Sequence, residues 1–198
     1  MLKNIIIAFL LIFGVNTAGA NQYYVGLDFN EVEVNTGIKN ISSNLDEEDT
    51  ILKFTGGYRL DNNISLEAFY LDFGEASLSG VSGNRFSYGG TTYEFNQTAK
   101  IALTVDTIGI GARYNIFNEG KSTLYGIAGI HSYDVSLSVA AGTSSTSVTE
   151  TGNDPYYGFG YNYLVADGIK LNLSYQNYEF DNDNVDGFLI GIQYDFKD

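Results

Sequence analysis

Near its end the chain reads Gly187-Phe188-Leu189-Ile190-Gly191-Ile192-Gln193-Tyr194-Asp195-Phe196, and every second residue of this stretch is large and apolar. Side chains alternate between the two faces of a β-strand, so the stretch predicts a strand with one bulky apolar face. Its length matches the roughly 9–11 residues that a tilted strand needs to cross a bilayer. A soluble sheet would give the same alternation, so the interpretation depends on the rest of the chain.

The other end of the chain predicts export. Lys3 precedes an almost unbroken apolar run from Ile5 to Val15, and Ala18-Gly19-Ala20 supplies small residues suited to cleavage. These are the three parts of a secretory signal, and the run is too short to span a membrane as a helix. We therefore expect residues 1–20 to be a signal peptide and residues 21–198 to form a single domain.

Composition favours strands and excludes several function classes. Tyr (16), Phe (13) and Gly (23) are abundant, whereas Pro occurs once, which suits strand interiors. With no cysteine, an exported chain must depend on its core or on a continuous sheet, not on disulfides. The net charge of −14 argues against nucleic acid, because phosphate binding needs a basic surface.

Alternation of this kind recurs along the chain and predicts eight strands. The predicted strands are residues 22–30, 51–60, 64–73, 99–116, 122–139, 156–165, 169–178 and 187–196. In most of them large aromatic or aliphatic residues share one face, and Gly, Asn, Ser, Lys, Arg and Glu share the other. An eight-stranded barrel has room inside only for side chains, so the bulky face is expected to contact lipid. The predicted fold is all-β, an eight-stranded antiparallel up-and-down transmembrane β-barrel.

Three strands depart from a simple alternation. In the third, the apolar phase changes at Leu71 and Phe73, which suggests a bulge or the end of the membrane zone. In the fourth, a bulge near Asp106-Thr107 would bring the upper apolar residues into phase with the lower ones. The fifth is ambiguous. The face predicted to contact lipid there is Tyr125, Ile127, His131, Tyr133, Val135 and Leu137.

The connections between predicted strands alternate in length. Residues 31–50, 74–98 and 140–154 are long and polar, whereas residues 61–63, 118–121 and 166–168 are short turns. Outer-membrane barrels place long loops outside the cell and short turns in the periplasm. We therefore expect Asp46, Ser87 and Ser145 outside, and Asn62, Gly120 and Asp167 in the periplasm. The acidic run 46–49 reads as exposed charge whose removal would leave stability unchanged.

Several of these segments resemble the OmpA-type outer-membrane barrel family. The resemblance rests on Phe54–Arg59, Ile64–Tyr70, Pro155–Tyr161 and Ile190–Phe196, which look like strands two, three, six and eight of that barrel. It implies recognition by the barrel-assembly machinery through the terminal aromatic Phe196, with Tyr194 beside it. The family's periplasmic peptidoglycan-binding domain has no counterpart in the sequence, so wall anchoring is not implied.

Charges on the predicted inner face define the candidate site. Glu67 and Arg113 lie on neighbouring strands, and an enclosed carboxylate requires a cation. We expect a Glu67–Arg113 pair that plugs the interior, with Arg59 close enough to join it. The family holds a similar interior pair as part of a gate. The family's second gate pair is replaced here by Asn162 and Asn172, which favours a fixed plug.

Catalytic and metal-binding alternatives find little support. A His/Ser lipid hydrolase needs both side chains on one face, but Ser132 directly follows His131 and points the other way. A half-solvated interfacial histidine is the simpler interpretation. Residues 181–186 offer oxygen ligands at calcium-like spacing but lack the distal glutamate of an EF-hand. We expect no enzyme activity, no cofactor and no metal site.

The sequence therefore predicts a protein of the cell outer membrane with a structural or adhesin-like role through its external loops. The alternative is a narrow porin-like channel for small solutes or hydrophobic compounds. A lipid-modifying enzyme is the third and weakest hypothesis. The expected partners are outer-membrane lipid and lipopolysaccharide, the assembly machinery and an external surface ligand. The expected oligomeric state is a monomer.

Overall fold

The computed structural model describes residues 22–33, 37–181 and 183–196. The predicted signal peptide lies outside these residues, as do Asn182 and the last two residues of the chain. The strands are β1 (Tyr23–Glu33), β2 (Lys39–Asn40), β3 (Asn44–Asp46), β4 (Glu48–Arg59), β5 (Ile64–Gly80), β6 (Arg85–Tyr88), β7 (Thr91–Glu94), β8 (Ala99–Glu119), β9 (Ser122–Ala141), β10 (Ser144–Ala166), β11 (Ile169–Phe180) and β12 (Asp183–Asp195).

Among the described residues, eight strands form a closed antiparallel ring in the order β1-β4-β5-β8-β9-β10-β11-β12. The ring closes where β1 pairs with β12, with Tyr24 opposite Asp195 and Phe29 opposite Ile190. The predicted eight-stranded barrel is thus confirmed. The short strand β3 adds to the edge of β5, and β2, β6 and β7 form a separate small sheet.

The two ends of the barrel differ. At one end lie the tight turns after β4, β8 and β10 and both described chain ends, where the Phe196 N–H donates to the Tyr23 carbonyl at 3.1 Å. We call this the short-turn end and the opposite one the long-strand end. No helix in the described part of the chain is long and apolar enough to span a membrane.

The wall formed by β8, β9 and β10 extends far into the long-strand end. These strands have 21, 20 and 23 residues, well beyond the roughly 9–11 that cross a bilayer. The predicted loop 140–154 is therefore wrong. Most of it is strand β10, paired with β9 from Ser144 opposite Ala141 onward. The Ser/Thr-rich sequence hid the strand because both faces of the wall are wet there, so no apolar alternation marks it.

The outward face of the ring is an apolar belt, in agreement with the predicted faces of strands one, two, six, seven and eight. Phe188, Ile190 and Ile192 of β12, for example, are more than half exposed. The other large outward residues of the belt include Leu27, Phe29, Phe54, Leu66, Ile108, Ile110, Ile130, Tyr157, Phe159, Tyr161, Tyr163, Leu171, Leu173 and Tyr194. Such a continuous exposed surface suits a hydrocarbon environment.

Strand five of the prediction, β9, has its faces reversed. Tyr125, Ile127, His131 and Tyr133 are buried inside the ring, and Ile130 on the alternate face is 60% exposed. The prediction was wrong because the interior beside β9 is apolar and aromatic, so both faces of this strand carry apolar residues. His131 is accordingly a buried histidine, not a half-solvated interfacial one.

Of the two predicted irregularities, the one in the third strand is present, because the register of β5 against β8 shifts between Asp72 and Glu75, a step that contains Phe73. The apolar phase does not change there, since Leu71 and Phe73 are buried in phase with inward-facing Phe69. The register of β8 against β9 is continuous through Asp106 and Thr107, so the bulge proposed there is absent; it shifts only near the short-turn end.

Asp49 has a structural role that the sequence did not show. Its side chain accepts a hydrogen bond from the Glu75 N–H at 2.7 Å and one from the Thr50 N–H at 2.7 Å. It also lies against Gly74, whose φ of +80° strongly favours glycine. Asp49 thus ties β4 to the bulge of β5, and these contacts argue against treating it as a purely exposed charge.

The half of the interior nearest the long-strand end is an aromatic cluster. Phe69 meets Tyr156 edge to face at 4.9 Å, and Tyr156 stacks on Tyr178 at 5.5 Å. His131 packs among these rings while hydrogen-bonding Thr107 at 2.8 Å and the Glu179 carbonyl at 2.9 Å. Glycines make the room: a Cβ at Gly109 would lie 2.4 Å from the Phe69 ring.

Candidate functional site

The other half of the interior is a polar core to which every strand of the ring contributes. Its members share inward orientation and burial, and all can form hydrogen bonds. They are Tyr24, Asp28, Lys53, Thr55, Ser65, Glu67, Arg113, Tyr125, Asn162, Asn172, Ser174, Gln176 and Gln193. Because side chains from all eight strands converge on one axis, this layer is where the barrel either conducts or closes.

The structure brings Glu67 and Arg113 together at its centre. Arg113 Nη1 lies 3.3 Å from Glu67 Oε1, and the two residues are 6% and 8% exposed, respectively. Tyr24 donates its hydroxyl to the same Glu67 oxygen at 2.6 Å. The Arg113 guanidinium lies 3.5 Å from the ring centroid of Tyr125, a close cation–π contact. Both charges are therefore paired and desolvated.

Arg59 forms a different ion pair. Its guanidinium contacts Asp195 Oδ1 at 2.6 Å, and Lys170 contacts the other oxygen of Asp195 at 2.9 Å. This second layer lies closer to the short-turn end than Glu67. Arg59 also sits 4.7 Å over the Tyr24 ring, so Tyr24 links the two layers.

Asn162 and Asn172, where the family's second charged pair was expected to be missing, both belong to the polar core. Asn162 donates to Gln193 Oε1 at 2.9 Å, and Arg113 donates to the same oxygen at 3.1 Å. Asn172 donates to Asp28 Oδ1 at 2.6 Å and accepts from the Tyr125 hydroxyl at 2.8 Å. These neutral amides connect the charged groups by hydrogen bonds.

Sequence reasoning missed a second set of interior charges, Asp28 and Lys53. They are directly opposite each other in the β1–β4 register. Lys53 is 1% exposed; its Nζ donates to Gln176 at 2.5 Å and to Tyr178 at 3.1 Å, and lies 4.4 Å from the Phe69 ring. Both residues lie on the polar face predicted for the first two strands, and this position was the signal that could have identified them.

The cavity within the polar core is small. The cavity among Tyr24, Lys53, Glu67, Arg113 and Gln193 has a volume of about 20 Å³. That is close to the roughly 10–15 Å³ that a single water needs. The charged groups around this cavity bond to one another and to neighbouring amides and hydroxyls.

Outside the barrel, charge is unevenly distributed. At the long-strand end the described carboxylates are Asp46, Glu47, Glu48, Asp49, Asp72, Glu75, Glu94, Asp106, Asp134, Glu150, Asp154, Glu179, Asp181 and Asp186. The described basic residues there are Lys39, Arg85 and Lys100, and the last two pair with Glu94 at 2.7 Å and Glu75 at 2.5 Å. This end of the molecule therefore carries a strongly negative surface.

The segment considered for calcium lies partly outside the described residues, because these do not include Asn182. Asp186 accepts a hydrogen bond from the Tyr175 hydroxyl, and the Asp181 N–H donates to Asp154 at 2.7 Å. Among the described residues no group of three or more His, Asp or Glu side chains is placed to hold a metal ion.

The central ion pair should show strong coupling in a double-mutant cycle. Glu67→Ala and Arg113→Ala should each lower the free energy of unfolding by about 3 kcal/mol, because either change leaves a buried charge without its partner. The double variant should lose clearly less than the sum of the two. The measurement is urea unfolding of the protein folded in phospholipid vesicles.

The matched control for this cycle is the exposed pair Glu75–Lys100, for which we expect coupling of about 0–1 kcal/mol. Additive effects of Glu67→Ala and Arg113→Ala would contradict the interpretation of the buried pair.

Solved structures with the same fold are outer-membrane barrels. Neisserial surface protein A matches with a TM-score of 0.57 and 17% identity, over 88% of this chain and 97% of that one. The N-terminal β-barrel domain of Pseudomonas aeruginosa OprF matches with a TM-score of 0.54 and 11% identity, over 88% and 97%. At these identities the likeness concerns the fold alone.

A third match is Ail, the attachment invasion locus protein of Yersinia pestis, in complex with the heparin analogue sucrose octasulfate. Its TM-score is 0.51 at 13% identity, over 87% of this chain and 95% of that one. No curated protein matches the sequence.

The sequence model of the outer membrane protein beta-barrel domain matches residues 5–196, which is almost the entire chain. Together with the closed ring, the apolar belt and the neighbouring structures, this match establishes both fold and location. The chain belongs to the outer membrane protein beta-barrel domain family and is a protein of the Gram-negative outer membrane.

Proposed function

We propose that this protein is a closed outer-membrane barrel whose role is structural or adhesin-like, exercised through its long-strand end. The observation that carries this proposal is the filled interior, in which the cavity between the buried ion pairs is only about 20 Å³. A solute cannot follow the axis without breaking the Glu67–Arg113 and Arg59–Asp195 contacts. Catalysis has no support, because His131 is buried among aromatic rings and Ser132 lies on the other face of β9.

The long-strand end is suited to interaction because it is built from paired strands. The wall of β8, β9 and β10, with the small sheet of β2, β6 and β7, presents a rigid surface beyond the apolar belt. Rigid surfaces bind with a smaller loss of conformational entropy than mobile loops do. In this proposal the belt contacts lipid and lipopolysaccharide, the barrel is a monomer, and the external ligand binds at the long-strand end.

Conductance distinguishes this function from the porin-like alternative. In planar bilayers the wild-type protein should conduct little, because the polar core blocks the axis. The Glu67→Ala/Arg113→Ala double variant should conduct more, since two side chains that fill the core are removed. Glu75→Ala/Lys100→Ala, which breaks an exposed pair outside the lumen, should behave as wild type. Large, steady wild-type conductance would refute the closed barrel and favour the channel.

The proposed orientation places the long-strand end outside the cell, as the alternating lengths of the connections suggest. Cysteines introduced as Asp46→Cys and Ser145→Cys should react with a membrane-impermeant maleimide on intact cells, whereas Lys121→Cys should not. All three should react after the cells are broken. The reverse pattern on intact cells would show that the barrel is inserted the other way round.

We further propose that Phe196, with Tyr194 beside it, is the element that the assembly machinery recognises. The two rings meet edge to face at 5.2 Å on the outward surface at the ring closure. Phe196→Ala should reduce the amount of protein in the outer membrane but affect refolding in detergent much less. The control is Tyr163→Ala, which removes an outward-facing aromatic ring from β10 and leaves the last strand unchanged. Normal outer-membrane levels of the Phe196 variant would contradict the proposal.

A further inference from the structure

An apolar cleft lies at the long-strand end, between the small sheet of β2, β6 and β7 on one side and β5 with the β8 and β9 strands of the wall on the other. Its volume is about 500 Å³. The small sheet contributes the aromatic rings of Phe86, Tyr88 and Tyr93, with Phe86 directly opposite Tyr93 in the β6–β7 register. The wall contributes aliphatic side chains that include Leu103 and Leu137. The cleft is therefore built by two sheets facing each other.

The cleft lies outside the lipid-facing belt. Asp72, Asp106 and Asp134 are cross-strand neighbours on the outward face of β5, β8 and β9. A row of three carboxylates cannot lie in hydrocarbon, so it marks the edge of the belt that is nearer the long-strand end. Leu103 and Leu137 are each three residues beyond this row, which is about 10 Å at 3.3 Å per residue. Lipid tails therefore do not cover the cleft.

Three of its large side chains are nevertheless strongly exposed, although Ala76 and Leu78 at its base are buried. Tyr88 is 56% exposed, Tyr93 46% and Leu137 46%. Contiguous exposed apolar surface outside a membrane typically marks an interaction site, and tyrosine is enriched among residues that contribute most to binding energy. The geometry is that of a receptor groove for one or two large apolar side chains.

The charge around the cleft selects the kind of partner. Glu150 lies on the same face of the wall as Leu137, because Leu137 is opposite Val148 and Glu150 follows two residues along β10. The long-strand end has three described basic residues, of which Arg85 and Lys100 pair with Glu94 and Glu75 and Lys39 follows Ile38 of the cleft, so its described carboxylates far outnumber its described basic residues. A polyanion such as a sulfated polysaccharide would be repelled by this surface, whereas a cationic partner would be attracted.

We propose that the cleft binds a cationic amphipathic polypeptide segment of another protein, with its large apolar side chains between the two sheets and its lysine or arginine side chains over the surrounding carboxylates. This inference rests on the proposed surface-interaction role and names the chemistry of the partner. It differs from binding of the heparin analogue that Ail accommodates on the same fold, because the charge of the ligand is opposite.

The test uses the full protein in phosphatidylcholine nanodiscs, with empty nanodiscs as the blank. The probe is a fluorescent synthetic peptide in which lysine alternates with phenylalanine and leucine. One analogue replaces each lysine by glutamate, and another replaces each apolar residue by serine. The lysine peptide should bind at least about tenfold more tightly than either analogue, and its affinity should fall as salt is raised.

Variants locate the binding site. Tyr88→Ser combined with Leu137→Ser should weaken binding about tenfold, whereas Val81→Ser, an equally exposed apolar position at the same end but outside the cleft, should leave it unchanged. Glu150→Lys should also weaken binding, and Glu119→Lys at the short-turn end should not. Unchanged affinity in the Tyr88/Leu137 variant, or equal affinity for the glutamate peptide, would overturn the proposal.

Failure of this inference is distinguishable from failure of the proposed function. Absence of peptide binding by a barrel that does not conduct would overturn the cleft assignment alone. Large wild-type conductance would overturn the closed barrel but would leave peptide binding at the cleft intact.

Discussion

Backbone hydrogen bonding inside hydrocarbon is the constraint on which this structure depends. With no water available, each N–H and C=O in the belt must pair with a neighbouring strand, and only a closed ring leaves no edge unpaired. The β1–β12 pairing provides that closure. Once eight strands close, the alternation of side chains sends one set to lipid and the other to an interior with no room for a wide channel. The apolar belt and the packed interior therefore both follow from closure of the ring.

The buried carboxylates of the described interior are matched by an equal number of buried cations. Asp28 and Glu67 are opposed by Lys53 and Arg113, and neutral amides and tyrosines connect them. Such networks contribute little net stability, because desolvation offsets most of the attraction between the charges. What they provide is a single arrangement of the interior, since loss of Glu67 or Arg113 leaves a buried charge without its partner. This is the basis for proposing a closed barrel instead of a pore.

The sequence predicted the fold where one face of a strand was bulky and the other small or polar, as in β12. It failed at β9, because Tyr125 and Tyr133 fill the interior and Ile130 contacts lipid, so neither face is polar. It failed again in β10 beyond the belt, where both faces are hydrated. Glu67 and Arg113 could be found because each stands out on a polar face. Lys53 and Asp28 were equally visible by phase, but their partners on distant strands depend on closure of the ring, which no local pattern reveals.

The length of β10 determines how far the turn between β9 and β10 lies from the apolar belt. About eight of its residues, from Ser144 to Thr151 opposite Asp134, lie between the edge of the belt and the turn at Gly142, a rise of roughly 20 Å at 3.3 Å per residue and a tilt of about 40°. Because β9 pairs with this segment throughout, the turn between β9 and β10 is held at a fixed distance from the bilayer. We call this turn the tip. In the proposed orientation, a ligand bound at the tip is therefore held clear of the lipid headgroups, whose layer is only about 5–8 Å thick on each side of the hydrocarbon.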